Sequence, residues 1–222
     1  MPTLGSAGRH FGPTGRGPVT EPDASPLDAA GFDAAYHGRP PWEIGRPQAA
    51  FVGAVEQIRG RVLDVGCGTG ELALMAAARG LDASGIDVSP TAIAIARKRC
   101  AERGLTAQFV VGDVLRLDEL TSAPYDTVLD SGLLHVFDAA DRPQYVAQLA
   151  AVTAPGGQYI ALVFSDREPG AWGPHRLTRD QLAAAFTDGW RIEAIEPSRF
   201  ELADPPTTVP FAESWFIRAR RL

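Results

Sequence analysis

Short apolar runs and helix-forming segments alternate along most of this chain of 222 residues. The apolar runs predict strands over residues 61–65, 81–86, 107–111, 125–129, 158–164, 191–196 and 211–218. The segments between them predict helices over residues 47–58, 71–79, 89–103, 138–152 and 178–189. This alternation is typical of a parallel sheet with helices on both faces. Ligands of such sheets bind beyond the carboxyl ends of the strands, so functional residues are expected there.

Capping residues support two of these helices. Ser89 followed by Pro90 predicts a helix start, with serine at the N-cap and proline in the first turn. Thr178 and Gln181 have the spacing of a capping box. Pro155-Gly-Gly157 predicts a turn before the fifth strand.

Composition excludes several classes of protein. The content of 45% hydrophobic and 22% charged residues is ordinary for a globular chain, and no apolar run is long enough to cross a bilayer. The net charge of −6 argues against a nucleic-acid partner. The two cysteines, Cys67 and Cys100, are expected to be free thiols. Because no secretory signal is evident either, we expect a cytoplasmic protein without a membrane partner.

Residues 1–26 differ from the rest of the chain. They contain five glycines and five prolines and almost no large apolar side chains. Such a segment buries too little surface to offset the entropy lost on ordering. We therefore expect a disordered tail.

A glycine loop follows the first predicted strand, between Gly66 and Gly70. Its pattern is G-x-G-x-G, whereas dinucleotide-binding loops have G-x-G-x-x-G. Asp64 stands just before the loop and Glu71 just after it. These carboxylates would repel a pyrophosphate, but they suit an ammonium group.

The next two strands also end in carboxylates. Asp87 can accept hydrogen bonds from both hydroxyls of a ribose. Asp113 can accept one from an exocyclic amine, and Val88 and Val114 can enclose a flat base. Ribose, amino-purine and ammonium together describe S-adenosylmethionine (SAM), which carries no phosphate.

Residues 61–165 resemble the core of class I SAM-dependent methyltransferases, and Leu63-Asp-Val-Gly-Cys-Gly-Thr-Gly70 resembles the first motif of that family. The resemblance implies a Rossmann-like α/β fold. Its sheet is mostly parallel and seven-stranded, with helices on both faces and a C-terminal antiparallel strand. It also implies SAM as cofactor, S-adenosylhomocysteine (SAH) as product and no metal.

The resemblance assigns cofactor-binding residues one by one. It implies that the methionyl end of SAM is bound by Asp64, Gly66, Gly68 and Gly70. It implies that the ribose is bound by Asp87 and the adenine by Asp113 with Val114. Cys67 is expected to serve as a small residue that fits the loop, and not as a nucleophile. Asp130, after the fourth strand, is expected to shape the floor of the site.

Two further segments, 32–48 and 130–138, resemble the thiopurine-methyltransferase-like group, and bacterial heterocyclic-toxin methyltransferases in particular. This resemblance covers roughly residues 30–200. It implies methyl transfer to an oxygen, nitrogen or sulfur atom of a small heteroaromatic or phenolic acceptor. A halide or thiol methyltransferase of the same fold is the alternative.

The segment 27–60 is interpreted as a lid and a helix in front of a core over 61–222. Its prolines stiffen it. Tyr36 and Trp42 offer aromatic faces to a sulfonium or a flat substrate, or they simply attach the segment to the core. Arg46 is expected to bind a carboxylate, of either the cofactor or a neighbouring acidic residue.

His135 is the main candidate for a general base, because it follows the fourth strand and histidine titrates near neutral pH. A purely structural histidine is the competing interpretation, and His37 and His175 are weaker candidates. The predicted acceptor-binding side chains are Tyr36, His37, Trp42, His135, Phe137, Phe164 and Trp172. Core packing is an equally open role for Phe164.

Three alternatives follow from the sequence. A nicotinamide dehydrogenase is disfavoured by the loop spacing and its acidic residues. A non-catalytic SAM-binding protein would bind the cofactor without turnover. A DNA methyltransferase is disfavoured, because Asp130-Ser-Gly-Leu133 stands where such enzymes carry N/D-P-P-Y/F. We expect a monomer or homodimer that acts on a small-molecule acceptor.

Overall fold

The computed structural model describes residues 28–121, 124–170, 172–203 and 210–222. The strands are β1 Val62–Val65, β2 Ala83–Asp87, β3 Gln108–Val111, β4 Tyr125–Ser131, β5 Thr153–Phe164, β6 Trp190–Glu201 and β7 Phe211–Arg221. The α-helices are α1 Ala29–Ala35, α2 Ala49–Gly53, α3 Glu71–Ala78, α4 Pro90–Glu102, α5 Leu117–Leu120, α6 Arg142–Val152 and α7 Arg179–Ala185. Short 3₁₀ helices lie at Val55–Gln57, Val114–Arg116 and Leu134–Val136. The tail predicted over residues 1–26 lies outside the described residues.

The seven strands form one sheet in the order β3-β2-β1-β4-β5-β7-β6. The first five strands run parallel, and β7 is antiparallel to both β5 and β6. Strand order reverses between β1 and β4, which places the ligand crevice at the carboxyl ends of those strands. The predicted fold is confirmed: the sheet is mostly parallel and its one reversed strand lies near the C-terminus.

The helix ends follow the predicted caps. The Ser89 hydroxyl accepts a hydrogen bond from the N–H of Ala92, and both bonds of the Thr178–Gln181 capping box are present. The predicted helix over 47–58 is shorter, since α2 spans Ala49–Gly53 and a 3₁₀ turn follows it.

The prediction that a turn at 155–157 precedes the fifth strand was wrong, because β5 already begins at Thr153. Between the pairs Tyr125–Thr153 and Thr127–Gln158, β5 uses five residues where β4 uses two. The extra residues form a bulge, and Gly156 adopts a φ of +76° within it. The proline and glycines therefore interrupt the ladder without ending the strand.

Side chains alternate between two apolar layers, one on each face of the sheet. Leu63, Val65 and Val128 belong to the layer that covers α6. Val62 and Leu129, their neighbours along the same strands, belong to the layer that contains Phe51 of α2. Both faces of the central strands are therefore buried, as parallel sheets require. Polar groups are left to the strand ends, where the candidate site lies.

Candidate active site

The glycine loop runs from Gly66 to Gly70 and joins β1 to α3. Gly68 has a φ of +52°, and a side chain there would come within 2.6 Å of the Tyr36 hydroxyl oxygen. The position therefore requires glycine, both for its conformation and for the close approach. The N–H of Gly68 donates to the Asp87 carboxylate at 2.8 Å, which fastens the loop to the end of β2.

Cys67 lies within this loop and is buried. Burial raises the pKa of the Cys67 thiol well above its usual value, and the charges of Asp64 and Asp87 raise it further. The thiol therefore stays protonated, which argues against a nucleophilic role.

Asp64, at the end of β1, is only 2% exposed and lines a cavity together with the loop. Its carboxylate accepts one hydrogen bond, from the N–H of Ala73 at 3.1 Å. Burial raises the pKa of Asp64 well above its usual value. Among the residues that the structure describes, no arginine or lysine pairs with it. An amino group of a ligand fits this place, because it would compensate a buried carboxylate that has no cationic partner.

Glu71 does not share this role, although it follows the loop directly. Arg99 donates to its carboxylate at 2.8 Å, and Arg103 does so at 2.6 and 2.9 Å. The sequence had grouped Glu71 with Asp64 as a site for an ammonium group. The structure separates them, since two arginines of α4 and its C-cap already neutralise Glu71.

Asp87 and Asp113 lie at adjacent strand ends, and the N–H of Gly112 donates to the Asp87 carbonyl oxygen. The carboxylate of Asp87 also accepts from the N–H of Ser89 at 2.8 Å. Burial raises the pKa of Asp87, while its two backbone hydrogen bonds lower it. Asp113 is exposed and caps the 3₁₀ turn after β3 by accepting from the N–H of Leu115 at 2.9 Å.

The two valines predicted at the base differ in burial. Val88 is half-buried and adjoins Asp87, so it can contact a ligand. Val114 is 7% exposed and packs into the apolar layer that covers α6. Its contribution to a base-binding surface is therefore small.

The segment in front of α2 covers the glycine loop. The indole N–H of Trp42 donates to the Tyr36 hydroxyl at 3.0 Å, and both rings line the cavity that contains Asp64. Burial raises the pKa of the Tyr36 hydroxyl, and the charge of Asp87 adds to this. The cavity measures about 70 Å³, far below the usual 300–1,000 Å³ of a ligand site. In this arrangement the segment leaves little enclosed space beside Asp64.

This segment is attached to the β2 side of the site through α1 and Glu43. The Asp33 carboxylate accepts from the Ser89 hydroxyl at 2.6 Å and from the N–H of Thr91 at 2.9 Å. Glu43 accepts from the Thr69 hydroxyl in the glycine loop and from Arg99. The attachment joins the segment directly to the loop that it covers.

A second attachment joins it to the end of β6. The amide of Gln48 exchanges two hydrogen bonds with the backbone of Glu201, at 2.8 and 3.0 Å. The Glu201 carboxylate accepts from Arg46 at 2.7 and 3.0 Å. The structure therefore favours the neighbouring acid over the cofactor as partner of Arg46. His37 is exposed and makes no side-chain hydrogen bond with the described residues.

Asp130 is fully buried at the end of β4. Its carboxylate accepts four hydrogen bonds, from the N–H groups of Leu133 and Leu134 and from the hydroxyls of Tyr145 and Tyr159. Four is the usual capacity of a carboxylate. Burial raises the pKa of Asp130, and these donors oppose that shift. The arrangement indicates a structural anchor more than a contact to the cofactor.

His135 lies on the 3₁₀ turn after β4 and is 5% exposed. Its Nδ1 accepts a hydrogen bond from the N–H of Phe164 at 2.9 Å. Burial lowers the pKa of His135 to about 3, and the nearby His175 contributes to this shift. The low pKa and the occupied Nδ1 both argue against the predicted role as a general base.

An aromatic cluster surrounds His135 at the carboxyl ends of β4 and β5. Phe164, Trp172 and Phe200 pack edge to face, with ring centroids 5.4 Å apart for both pairs that include Phe164. Phe137, predicted for the same pocket, instead packs on Tyr145 in the layer on the other face of the sheet. Phe200, from β6, was missed, because no local pattern in the sequence connects it with His135.

No group of three His, Cys, Asp or Glu side chains among the described residues could hold a metal ion. No helix in the described part of the chain is long and apolar enough to cross a membrane.

Comparison with known proteins shows which family this chain matches. A family model described as a methyltransferase domain matches residues 62–157. A 2-heptyl-1-hydroxyquinolin-4(1H)-one methyltransferase of Mycobacteroides abscessus is 37% identical over 182 residues, which make up 76% of this chain and 79% of that relative.

Solved structures of other proteins are also similar to this chain. A protein studied for the conversion of a disulfide bond into a thioacetal group during echinomycin biosynthesis is 38% identical, with a TM-score of 0.80 over 87% of this chain and 93% of the other. Magnesium protoporphyrin IX methyltransferase of Synechocystis with bound SAM is 20% identical, with a TM-score of 0.60 over 78% and 76% of the two chains. The latter likeness is one of fold.

Proposed function

Because this chain belongs to the class I SAM-dependent methyltransferases, we propose that it methylates an oxygen, nitrogen or sulfur atom of a small heteroaromatic or phenolic acceptor. The observation that carries the proposal is the aromatic cluster of Phe164, Trp172 and Phe200, which encloses His135 at the ends of β4 and β5. Aromatic side chains of this kind can stack on or pack edge to face against a flat aromatic acceptor. The hydroxyquinolone named as the acceptor of the relative from Mycobacteroides abscessus is a molecule of this kind.

The cofactor is SAM, which supplies an electrophilic methyl group on a sulfonium centre. We place its ammonium group at Asp64, its ribose hydroxyls at Asp87 beside Val88, and its adenine at Asp113. The backbone that would follow its methionyl part consists of Gly66, Cys67, Gly68 and Gly70. Asp64 supports this placement, because its buried carboxylate has no cationic partner among the described residues.

The protein contributes mainly by position. A lone pair of the acceptor forms the new bond to the methyl carbon from the side opposite the sulfur. Holding the two reactants in this geometry lowers the entropic part of the barrier. The aromatic cluster fixes the plane of the acceptor, and the lid segment, residues 27–60, excludes water once it closes.

Membership of the thiopurine-methyltransferase-like group is the finer part of the proposal. It is supported by the segment 32–48, whose Tyr36 and Trp42 line the cavity above the glycine loop. The division into a lid over 27–60 and a core over 61–222 is likewise a proposal. Its support is that the lid segment contacts the core by hydrogen bonds of its own side chains, among them those of Asp33, Glu43 and Gln48.

Calorimetric titration with SAM and SAH tests the cofactor placement. We expect Asp87→Ala to weaken binding strongly. Asp82→Ala, just before the other end of β2, is the matched control, since Asp82 is exposed and its side chain pairs with Arg61 alone among the described residues. Equal affinities of the two variants would contradict the placement.

Turnover then tests the acceptor class. Hydroxyquinolones, phenols, thiols and halide ions are offered with SAM, and methylated products are identified by mass spectrometry. We expect product from the aromatic hydroxyl compounds. Turnover of thiols or halides alone would favour the alternative methyltransferase. Tight SAM binding without any product would indicate a non-catalytic SAM-binding protein.

A further inference from the structure

The protonation state of His135 follows from its surroundings. Its ring lies 4.9 Å from the ring of Phe164 and 6.0 Å from that of Phe200, measured between centroids. The backbone N–H of Phe164 points at Nδ1 from 2.9 Å. An N–H group can only donate, so Nδ1 must carry a lone pair. In a neutral imidazole the proton then sits on Nε2.

The other tautomer is excluded by the same contact. A proton on Nδ1 would face the N–H of Phe164, and two donors would meet at hydrogen-bonding distance. The doubly protonated ring meets the same conflict in an apolar environment. His175 is the titratable neighbour of His135, and it opposes a positive charge there. Nε2 therefore has no lone pair with which to accept a proton from a substrate.

The Nε2–H group is free to bind a ligand. It has no acceptor among the described residues, and it lies on the side of the ring that faces Gly132 and Phe200. The indole N–H of Trp172, in the same cluster, is buried and also lacks a partner among the residues that the structure describes. The buried Trp172 N–H is unfavourable without an acceptor, and the Nε2–H of His135 in the same cluster is free to donate, so both groups favour a ligand that brings lone pairs among these aromatic side chains.

We propose that His135 acts as a hydrogen-bond donor, through Nε2–H, to an anionic oxygen of the flat acceptor, and not as a general base. This inference rests on the proposed function. The acceptor binds after losing its proton to solvent. One lone pair of its oxygen accepts from Nε2–H, while another forms the O–CH₃ bond. The S–CH₃ bond breaks and its electron pair passes to sulfur, so that SAH is the product and His135 keeps its proton.

Kinetics distinguishes a donor from a base. Two phenolic or N-hydroxy acceptors with different pKa values are compared over pH, using the wild type, His135→Gln and His135→Phe. Gln keeps a donor near the position of Nε2, whereas Phe keeps the aromatic packing alone. We expect His135→Phe to lower kcat/KM about 100- to 1,000-fold, and His135→Gln to lower it about tenfold or less.

The pH profile gives the sharper readout. A donor role predicts that the inflection in kcat/KM follows the pKa of each acceptor. An inflection common to both acceptors, lost in both variants, would instead identify His135 as a base and overturn the inference. Tyr125→Phe is the matched control, because it removes a buried hydroxyl at the opposite end of β4. It should leave both the rate and the profile unchanged.

Nuclear magnetic resonance tests the tautomer without turnover. In ¹⁵N-labelled protein with SAH bound, we expect an Nε2–H signal of His135 that persists from pH 5.5 to 8.5 and moves downfield when the acceptor is added. A signal for Nδ1–H, or titration of His135 within this range, would overturn the inference even if the enzyme is active. A wild type that produces no methylated product, yet shows the expected signal and shift, would refute the proposed function alone.

Discussion

The two halves of the sheet build their parts of the site in different ways. On the β1–β3 side, the carboxylates accept hydrogen bonds from backbone N–H groups. Asp64 accepts from Ala73, nine residues away, and Asp87 accepts from Ser89, two residues away, and from Gly68 in the neighbouring glycine loop. On the β4–β7 side, His135 is fastened to Phe164, 29 residues away, and is enclosed by Phe200 of β6. The carboxylates assigned to the cofactor are thus positioned by local contacts, whereas the proposed acceptor site depends on contacts between strands that are distant in sequence.

Burial shifts the pKa values of the titratable groups in the two halves in opposite directions. Burial raises the pKa of Asp64 and Asp87, but it lowers the pKa of His135. In each case the charged form is disfavoured by desolvation. In our proposal, the ammonium group of the cofactor compensates this penalty on the carboxylate side, and a neutral donor avoids it on the histidine side.

The largest effect is expected at Asp130, which lies between the two halves. Asp130→Ala leaves two tyrosine hydroxyls and two N–H groups without their acceptor, so we expect the free energy of unfolding to fall by about 4 kcal/mol. Urea denaturation measures this. Tyr159→Phe, which removes one of the four donors, should cost about 1–2 kcal/mol. A stable Asp130→Ala variant that no longer binds SAM would instead place Asp130 in the cofactor site.

Asp64 and Glu71 should differ sharply in cofactor binding. Asp64→Asn removes the charge that we assign to the ammonium group, and should raise the Kd for SAM about 100-fold, or about 2.7 kcal/mol. Glu71→Gln should change it about fivefold or less, because Arg99 and Arg103 already hold that carboxylate. Calorimetry decides between them, and a larger effect of Glu71→Gln would reverse the assignment.

His135 and Asp64 should change the pH dependence of the free energy of unfolding in opposite directions. The folded pKa of His135, about 3, lies below its unfolded value of 6.5, so the stability from keeping it neutral is present above pH 6.5 and is lost as pH falls. Between about pH 6.5 and 5 the wild type should lose about 2 kcal/mol relative to His135→Phe.

The raised pKa of Asp64 works the other way: its stabilising contribution is present below its usual value of 3.8 and is lost as pH rises through the folded value. Asp64→Asn should therefore lose stability more steeply than the wild type on acidification. Chemical denaturation at several pH values gives the slope of stability against pH for the wild type, His135→Phe and Asp64→Asn. Parallel curves for the two variants would contradict this part of the comparison.

The smallest effect is expected where the lid segment meets β6. Arg46 pairs with Glu201, but its side chain is 56% exposed. Arg46→Ala should therefore cost about 0.5 kcal/mol in stability. It should still speed SAH release about two- to fivefold, because one attachment of the lid is weakened.

Stopped-flow fluorescence of the tryptophans follows this release. Arg191→Ala removes the exposed ion pair with Glu193 at the start of β6, the end opposite Glu201, and serves as the control. If both variants release SAH at the wild-type rate, the attachment to β6 does not govern opening.

Much of the β1–β3 side could be predicted from sequence. The loop spacing, the carboxylates at three strand ends and the cap at Ser89 are all local patterns, and their elements formed where expected. Glu71 was the exception there. Its partners, Arg99 of α4 and Arg103 at the C-cap of α4, lie 28 and 32 residues away, and only the packing of that helix brings them to the loop.

On the β4–β7 side the same reasoning reached individual residues but not their arrangement. His135 and Phe164 were selected, yet Phe137 faces the opposite layer, and Phe200 carried no signal. Side-chain direction after β4 depends on one short 3₁₀ turn, so neighbouring residues reach different faces of the sheet.

The sequence by itself determined the order of strands and helices, the glycine loop and the acidic strand ends, because these depend on residue type and spacing over a few positions. Only the tertiary structure decided which carboxylates remain without a cation, which nitrogen of His135 carries the proton and how the lid segment is attached. Those properties depend on contacts between segments as far apart as Gln48 and Glu201, 153 residues from each other. Desolvation and hydrogen-bond partners arise from such contacts, and no local pattern encodes them.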